Sequence, residues 1–140
     1  MDKQQIIEKA ITLKKSGRYN CAQAVSCAFA GELGLNEESL YHTSNSFGVG
    51  MGGFQATCGA IIGAGIVIGL ATGDRVKAMK LQSQLVNEFQ ARNGATACHK
   101  LKGIQLSPAG EIIGRSTPLR DCSLCVADAA EFAAEILANK

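Results

Sequence analysis

From Cys58 to Ala71 the chain reads CGAIIGAGIVIGLA, a run with no charged side chain and no polar group beyond its leading thiol. Nothing in it supplies a wet face, so it has to be surrounded. A bilayer span takes about 20 apolar residues, and this run is too short for one. It is read as a helix buried on all sides, at the centre of a fold whose other elements wrap it. Gly59, Gly63, Gly65 and Gly69 each cost roughly 1 kcal/mol against alanine inside a helix. Gly59 and Gly63 share a face, as do Gly65 and Gly69, so the expected compensation is close helix packing, which could include a homodimer.

The flanking segments supply the wrapping. Residues 3–16 form an amphipathic pattern with Ile6, Ile7, Ala10, Ile11 and Leu13 on one side and Lys9, Lys14 and Lys15 mostly on the wet side, stopped by Gly17. Asn20 is the expected N-cap of a helix from Cys21 to about Glu32, with Gln23 completing a variant capping box and Ala22, Val25, Ala28 and Phe29 on its buried side. Asn36, followed by Glu37 and Glu38, starts a helix to about Ser46, its acidic first turn suiting the positive end of the dipole. Thr57 is the expected cap of the central helix. Asp74 caps a longer one to about Arg92, with Val76, Met79, Leu85, Val86 and Phe89 toward the core.

Thr96 caps a short helix through Lys102, residues 103–118 read as loop, and Asp121 caps a last helix with Val126, Ala129, Ala133, Ile136 and Leu137 at helical spacing. No stretch alternates convincingly with the period of a strand. The expectation is an all-α, compact, single-domain bundle over residues 1–140, with about five substantial helices and one short one around a glycine-rich buried helix.

Charge excludes some functions. Fourteen basic and twelve acidic residues leave a net charge of +2, too weak for a nucleic-acid partner, and the absence of Trp removes stacking platforms. Six cysteines are the unusual count. Met1-Asp2-Lys3-Gln4-Gln5 leads into a charged amphipathic stretch and not a signal core, so a cytoplasmic location is expected. Thiols stay reduced there, and six of them then point to metal binding or redox chemistry more than to stapling.

The cysteines fall on the expected helix starts. Cys21 follows Asn20, Cys58 follows Thr57, Cys98 stands two places after Thr96, and Cys122 follows Asp121. Unpaired amides and the helix dipole favour thiolate at such positions, the form that attacks electrophiles and binds metals. Cys21, Cys58, Cys98 and Cys122 are therefore expected to share one site. Cys27 lies about 240° around its helix from Cys21 and is assigned to the core or a secondary wall. Cys125 makes a CxxC with Cys122, which serves either as a resolving thiol or as core packing. His99, beside Cys98, is a candidate ligand or proton carrier or an exposed side chain without a role, and His42 is incidental.

Between Phe47 and Phe54 the chain is densest in glycine. Gly50, Gly52 and Gly53, with Gly59, are expected to let backbone approach the sulfurs or a bound group closely. The run resembles a dinucleotide fingerprint only loosely and lacks the preceding strand, so that reading is rejected. There are no paired carboxylates, no GxSxG and no phosphate loop.

These residues together resemble the C_GCAxxG_C_C family, small bacterial and archaeal proteins described as redox-active. The central motif stands here as Cys58-Gly59-Ala60-Ile61-Ile62-Gly63. The first cysteine matches Cys21, the third matches Cys98 after Gly94-Ala95-Thr96-Ala97, and the fourth matches Cys122, with Val126 and Asp128-Ala129-Ala130 following. Phe47–Gly53 is similar to an FGGGMG-like run with Val49 in place of a glycine, while Cys27 and Cys125 lie outside the pattern. The resemblance implies a redox role without a settled substrate and some association with transporter genes.

Two mechanisms follow for Cys21, Cys58, Cys98 and Cys122: dithiol–disulfide cycling, or ligation of an iron–sulfur cluster or another thiolate-bound metal ion. A non-catalytic metal or oxidant sensor, or a module docking to a transporter, is the alternative.

Overall fold

The structure, a computed structural model, describes residues 1–139. In chain order it holds α1 (Lys3–Lys15), α2 (Cys21–Ala28), the single turn α3 (Ala30–Leu33), α4 (Glu37–Thr43), a π-helical turn at Gly50–Phe54, α5 (Gly59–Thr72), α6 (Arg75–Asn93) and α7 (Cys98–Lys102). A hairpin of β1 (Ile104–Leu106) and β2 (Ile112–Arg115) follows, and then α8 (Cys122–Ala138). The protein is mostly helical, as the periodicity predicts. No helix among the described residues is long and apolar enough to cross a membrane.

Capping chemistry sets most of the starts. The side chains of Asp2, Asn20, Asn36, Asp74 and Asp121 each accept a backbone N–H from the first turn of the helix they precede. At α2 the box is reciprocal, with Gln23 N–H on Asn20 Oδ1 at 2.8 Å and Asn20 N–H on Gln23 Oε1 at 2.9 Å. α2 is shorter than its pattern predicts, because the chain leaves the helix at the fully buried Phe29 and makes only one more turn before Gly34. α4 likewise ends early, where the Ser44 hydroxyl donates back to Leu40 O at 2.6 Å.

α5 packs against α2, α6 and α8, and α1 lies across α2 and α8. Ala60, Ile61, Ala64, Val67 and Ile68 face this core, together with Phe29, Phe89 and the Val126–Ala133 face of α8. Burial of α5 on all sides is not observed: Ile62, Gly65, Ile66 and Gly69 are half-buried and Leu70 is exposed. Three neighbouring helices cannot enclose the circumference of a fourth, so one apolar edge stays at the surface.

On α6 the buried stripe runs through Ala78, Leu81, Leu85 and Phe89, which leaves Val76 and Met79 exposed where a core position was expected. The stripe keeps helical spacing but begins two residues later. Residues 104–106 and 112–115, expected as loop, pair as antiparallel strands with Ile104 opposite Arg115 and an irregularity beyond Gln105. Only Ile104 of this hairpin is buried, so there is no alternation of burial from which to read a strand.

One buried charge ties α6, α8 and the loop before α8. The Asp128 carboxylate is almost wholly enclosed and takes Arg92 at 3.0 Å and Arg120 at 3.0 Å. Arg92 also stacks on the Phe132 ring at 4.3 Å and pairs with Glu131 at 3.0 Å. Asp128→Ala is expected to cost about 2 kcal/mol in chemical unfolding, since two guanidinium groups lose charge-assisted hydrogen bonds. A change near zero would show that the two arginines find water equally well.

Candidate functional site

The site begins with a short backbone pairing. Residues 56–58 and 96–98 run antiparallel: Cys58 N–H donates to Thr96 O at 2.7 Å and Cys98 N–H donates to Ala56 O at 2.9 Å, around a bridge between Thr57 and Ala97. Two cysteines forty residues apart are thus set side by side. Thr57 and Thr96 are held in this pairing and do not cap helices. Cys58 is itself the N-cap residue of α5, and Ala97 precedes α7 without a side-chain cap.

The turn at residues 49–54 closes over Cys98. Gly50 has φ of +58°, and a Cβ there would stand 2.6 Å from Cys98 Cβ and 3.3 Å from its sulfur. Only glycine allows both that backbone and that approach. Val49, beside it, is left-handed at φ 55°, a costly conformation for a β-branched residue, and lines the pocket. Gly59 likewise lets α5 close on α2: a Cβ there would lie 2.8 Å from Phe47 O and 3.3 Å from Cys21 Cβ. Gly52 and Gly53 have open space where a side chain would be and do not line the pocket.

Five sulfurs line one cavity: Cys21 at the start of α2, Cys58 before α5, Cys98 at the start of α7, and Cys122 and Cys125 on the first turn of α8. Lys14, Lys102 and Arg120 are the charged residues around it, with no carboxylate among the described lining residues. Its volume of about 40 Å³ suits a few water molecules and not a substrate body. Cys122 alone of the five is not buried. Cys27 lies elsewhere, fully enclosed with Ala30 and Leu40, its thiol donating to Glu37 O at 3.7 Å.

Inside the cavity the sulfurs pair by hydrogen bonding. The Cys21 thiol donates to Cys122, and this bond, with the ammonium of Lys102 and the charge of Lys14, brings the Cys122 thiol down to about 5 despite its partial burial. The same bond, with burial, pushes Cys21 far up. The Cys125 thiol donates to Cys58, which with the amides of Ala60 and Ile61 lowers Cys58 against the effect of its burial. Cys125 is pushed far up by holding that proton and by burial. Cys98 has no such partner; burial takes it to about 11 although Lys102 pulls the other way. Lys102 itself is raised: burial works against its charge, but Cys122, with Cys98 and Cys21, more than offsets this.

The expectation that all four helix-start thiols lean to thiolate therefore holds for Cys58 and Cys122 and not for Cys21 and Cys98. A helix start favours a thiolate only where a neighbour also supplies a proton or a cation, and a thiol that supplies the proton shifts the other way. Among the described residues no group of three or more His, Cys, Asp or Glu side chains is placed to hold a metal ion. His99 Nδ1 stands 3.1 Å from Phe54 O, fastening the turn at 50–54 to α7, and the ring does not line the cavity. His42 is exposed, one helical turn from Glu38.

Reading from sequence left Cys125 undecided and passed over Lys102 and Lys14. Lys102 stands four residues after Cys98 and Cys125 three after Cys122, spacings that put each pair on one helix face. Lys14 carries no such signal, since it reaches the cavity only through the packing of α1 on α2.

A family model described as "Putative redox-active protein (C_GCAxxG_C_C)" matches residues 19–136. No curated protein and no solved structure matches the chain. The matched span contains α2 through most of α8 and all five cavity cysteines. The chain belongs to the C_GCAxxG_C_C family.

Proposed function

We propose that the protein is a dithiol electron carrier in which Cys122 attacks and Cys21 resolves. The observation that carries this reading is a single pair: the one partly exposed cysteine of the cavity, held as thiolate near neutral pH and hydrogen-bonded by a thiol from a different helix. The Cys122 thiolate attacks one sulfur of a substrate disulfide, forming a mixed disulfide as the substrate's S–S bond breaks and its other sulfur departs as thiolate. Cys122 has then lost its charge, so the bond that held the proton on Cys21 is gone. Cys21 gives that proton to the departing thiolate and attacks the Cys122 sulfur, which releases the second substrate sulfur. The substrate gains two electrons and the protein holds a Cys21–Cys122 disulfide; an external dithiol reverses it.

The cations of Lys14, Lys102 and Arg120 favour a disulfide flanked by negative charge. Four thiolates are also a normal ligand set for zinc or an iron–sulfur centre, and Cys21, Cys58, Cys98 and Cys122 would be its ligands. The pairing of Cys21 with Cys122 supports the dithiol instead, because Cys21 donates to its neighbour and carries its own proton.

The direct test is anaerobic reduction of a small aromatic disulfide followed by peptide mapping under acid quench. Two thiols are expected to be lost per disulfide reduced. A protein that binds iron and sulfide and reduces no disulfide would overturn the reading.

Cys122 should also titrate visibly. Its alkylation by iodoacetamide is expected to rise through about pH 5 and then level off, because the attacking species is the thiolate and its formation is nearly complete well below neutral pH. Cys21→Ala and Lys102→Met should each move the midpoint upward, because each neighbour favours the thiolate. A midpoint that stays put in both variants would mean that neither neighbour holds the charge.

A further inference from the structure

We propose that Cys58 and Cys125 form a second, internal dithiol couple, oxidised only through the Cys21–Cys122 disulfide, so that each molecule stores two electron pairs. The inference rests on the reading of Cys122 and Cys21 as the outer couple.

Cys58 and Cys125 are 5% and 2% exposed, and the cavity in front of them holds about 40 Å³. No external disulfide reaches them. Yet they line the same small cavity as Cys21 and Cys122, Cys58 directly before α5 and Cys125 on the first turn of α8, and a Cβ at Gly59, next to Cys58, would stand 3.3 Å from Cys21 Cβ.

The transfer needs no new reactant. With Cys21 and Cys122 joined, the Cys58 thiolate attacks the Cys21 sulfur; the Cys21–Cys122 bond breaks and Cys122 departs as the best-stabilised thiolate in the cavity. Cys125 then attacks the Cys58 sulfur of the Cys21–Cys58 disulfide, and Cys21 departs, taking the proton that Cys125 gives up. The inner couple is now a disulfide, the outer couple is again one thiol and one thiolate, and no electrons have left the protein. A second substrate disulfide can be reduced. External dithiol refills the inner couple by the same steps in reverse.

The test is exhaustive anaerobic oxidation of the full chain with excess of a small aromatic disulfide, followed by mapping of disulfide-linked peptides. Two intramolecular links are expected, Cys21–Cys122 and Cys58–Cys125, with two equivalents of oxidant consumed. In Cys122→Ser the inner link should form at least about tenfold more slowly, because its route is gone, while Cys27→Ser behaves as the parent. A single Cys21–Cys122 link with Cys58 and Cys125 still free would overturn the inner couple and leave the proposed function standing. Formation of Cys58–Cys125 at the parent rate in Cys122→Ser would overturn the relay. Absence of any Cys21–Cys122 link, even at short times, would overturn the proposed function itself.

Discussion

Cys122→Ser is expected to lower the rate of disulfide reduction at least about a thousandfold while leaving the thermal unfolding curve nearly unchanged. A serine hydroxyl holds its proton at every accessible pH, so it offers no anion to attack sulfur. The side chain is only partly buried and serine is close to it in size, so the swap removes little packing, and the oxygen still faces Lys102. Cys27→Ser is the matched control: the same chemical change at a fully enclosed sulfur that belongs to a separate cluster. Its rate should stay within about twofold of the parent. Equal losses in both would mean that cysteine substitution acts through the fold, and equal indifference would remove Cys122 from the reaction.

Gly63→Val should be the most destabilising change in the central helix, costing about 3 kcal/mol or more in chemical unfolding. A Cβ at Gly63 would lie 2.5 Å from Ala22 O and 3.0 Å from Ala22 Cα. Both are backbone atoms of α2 and have no rotamer by which to yield. The helix can accept the side chain only by moving away from α2, which carries Cys21 off Cys122, so disulfide reduction should fail together with stability. Gly69 is the contrast on the same helix. Nothing lies within 4 Å of a Cβ there, so Gly69→Ala should stabilise by up to about 1 kcal/mol through helix propensity alone. If both substitutions had the same sign, the glycine spacing of α5 would not be a packing device.

These glycines show what spacing does and does not disclose. The Gly59/Gly63 face meets α2, as expected of small residues in register, and a Cβ at Gly65 would stand 2.9 Å from the Gln82 amide nitrogen of α6. A Cβ at Gly69 would meet nothing within 4 Å, although its position in the pattern is equivalent. Periodicity reports which residues share a face, and it cannot report how far along the axis the neighbour extends. The same limit explains Val76 and Met79, which repeat correctly on α6 and yet lie outside its buried stripe. It also explains the hairpin at residues 104–115, where exposed isoleucines leave no burial pattern for the eye to follow.

At the site, α2 and α8 start where their caps stand, because capping is a contact between residues two or three apart. Cys58 and Cys98 reach helix starts by another route. Thr57 and Thr96 look like caps in one dimension, but backbone pairing over residues 56–58 and 96–98 claims them first. A bridge between segments forty positions apart leaves no local trace.

By itself the sequence determined that the chain is mostly helical, that four of its cysteines stand at or beside helix starts, and that it belongs with the C_GCAxxG_C_C proteins, because each of these depends on short-range spacing. The tertiary structure alone decided which sulfurs carry charge. Cys122 is held anionic by a thiol from α2 and an ammonium from α7, and Cys125 joins the site by donating to a cysteine before α5. The sharing of a proton between two sulfurs depends on the distance between them in space, and packing sets that distance.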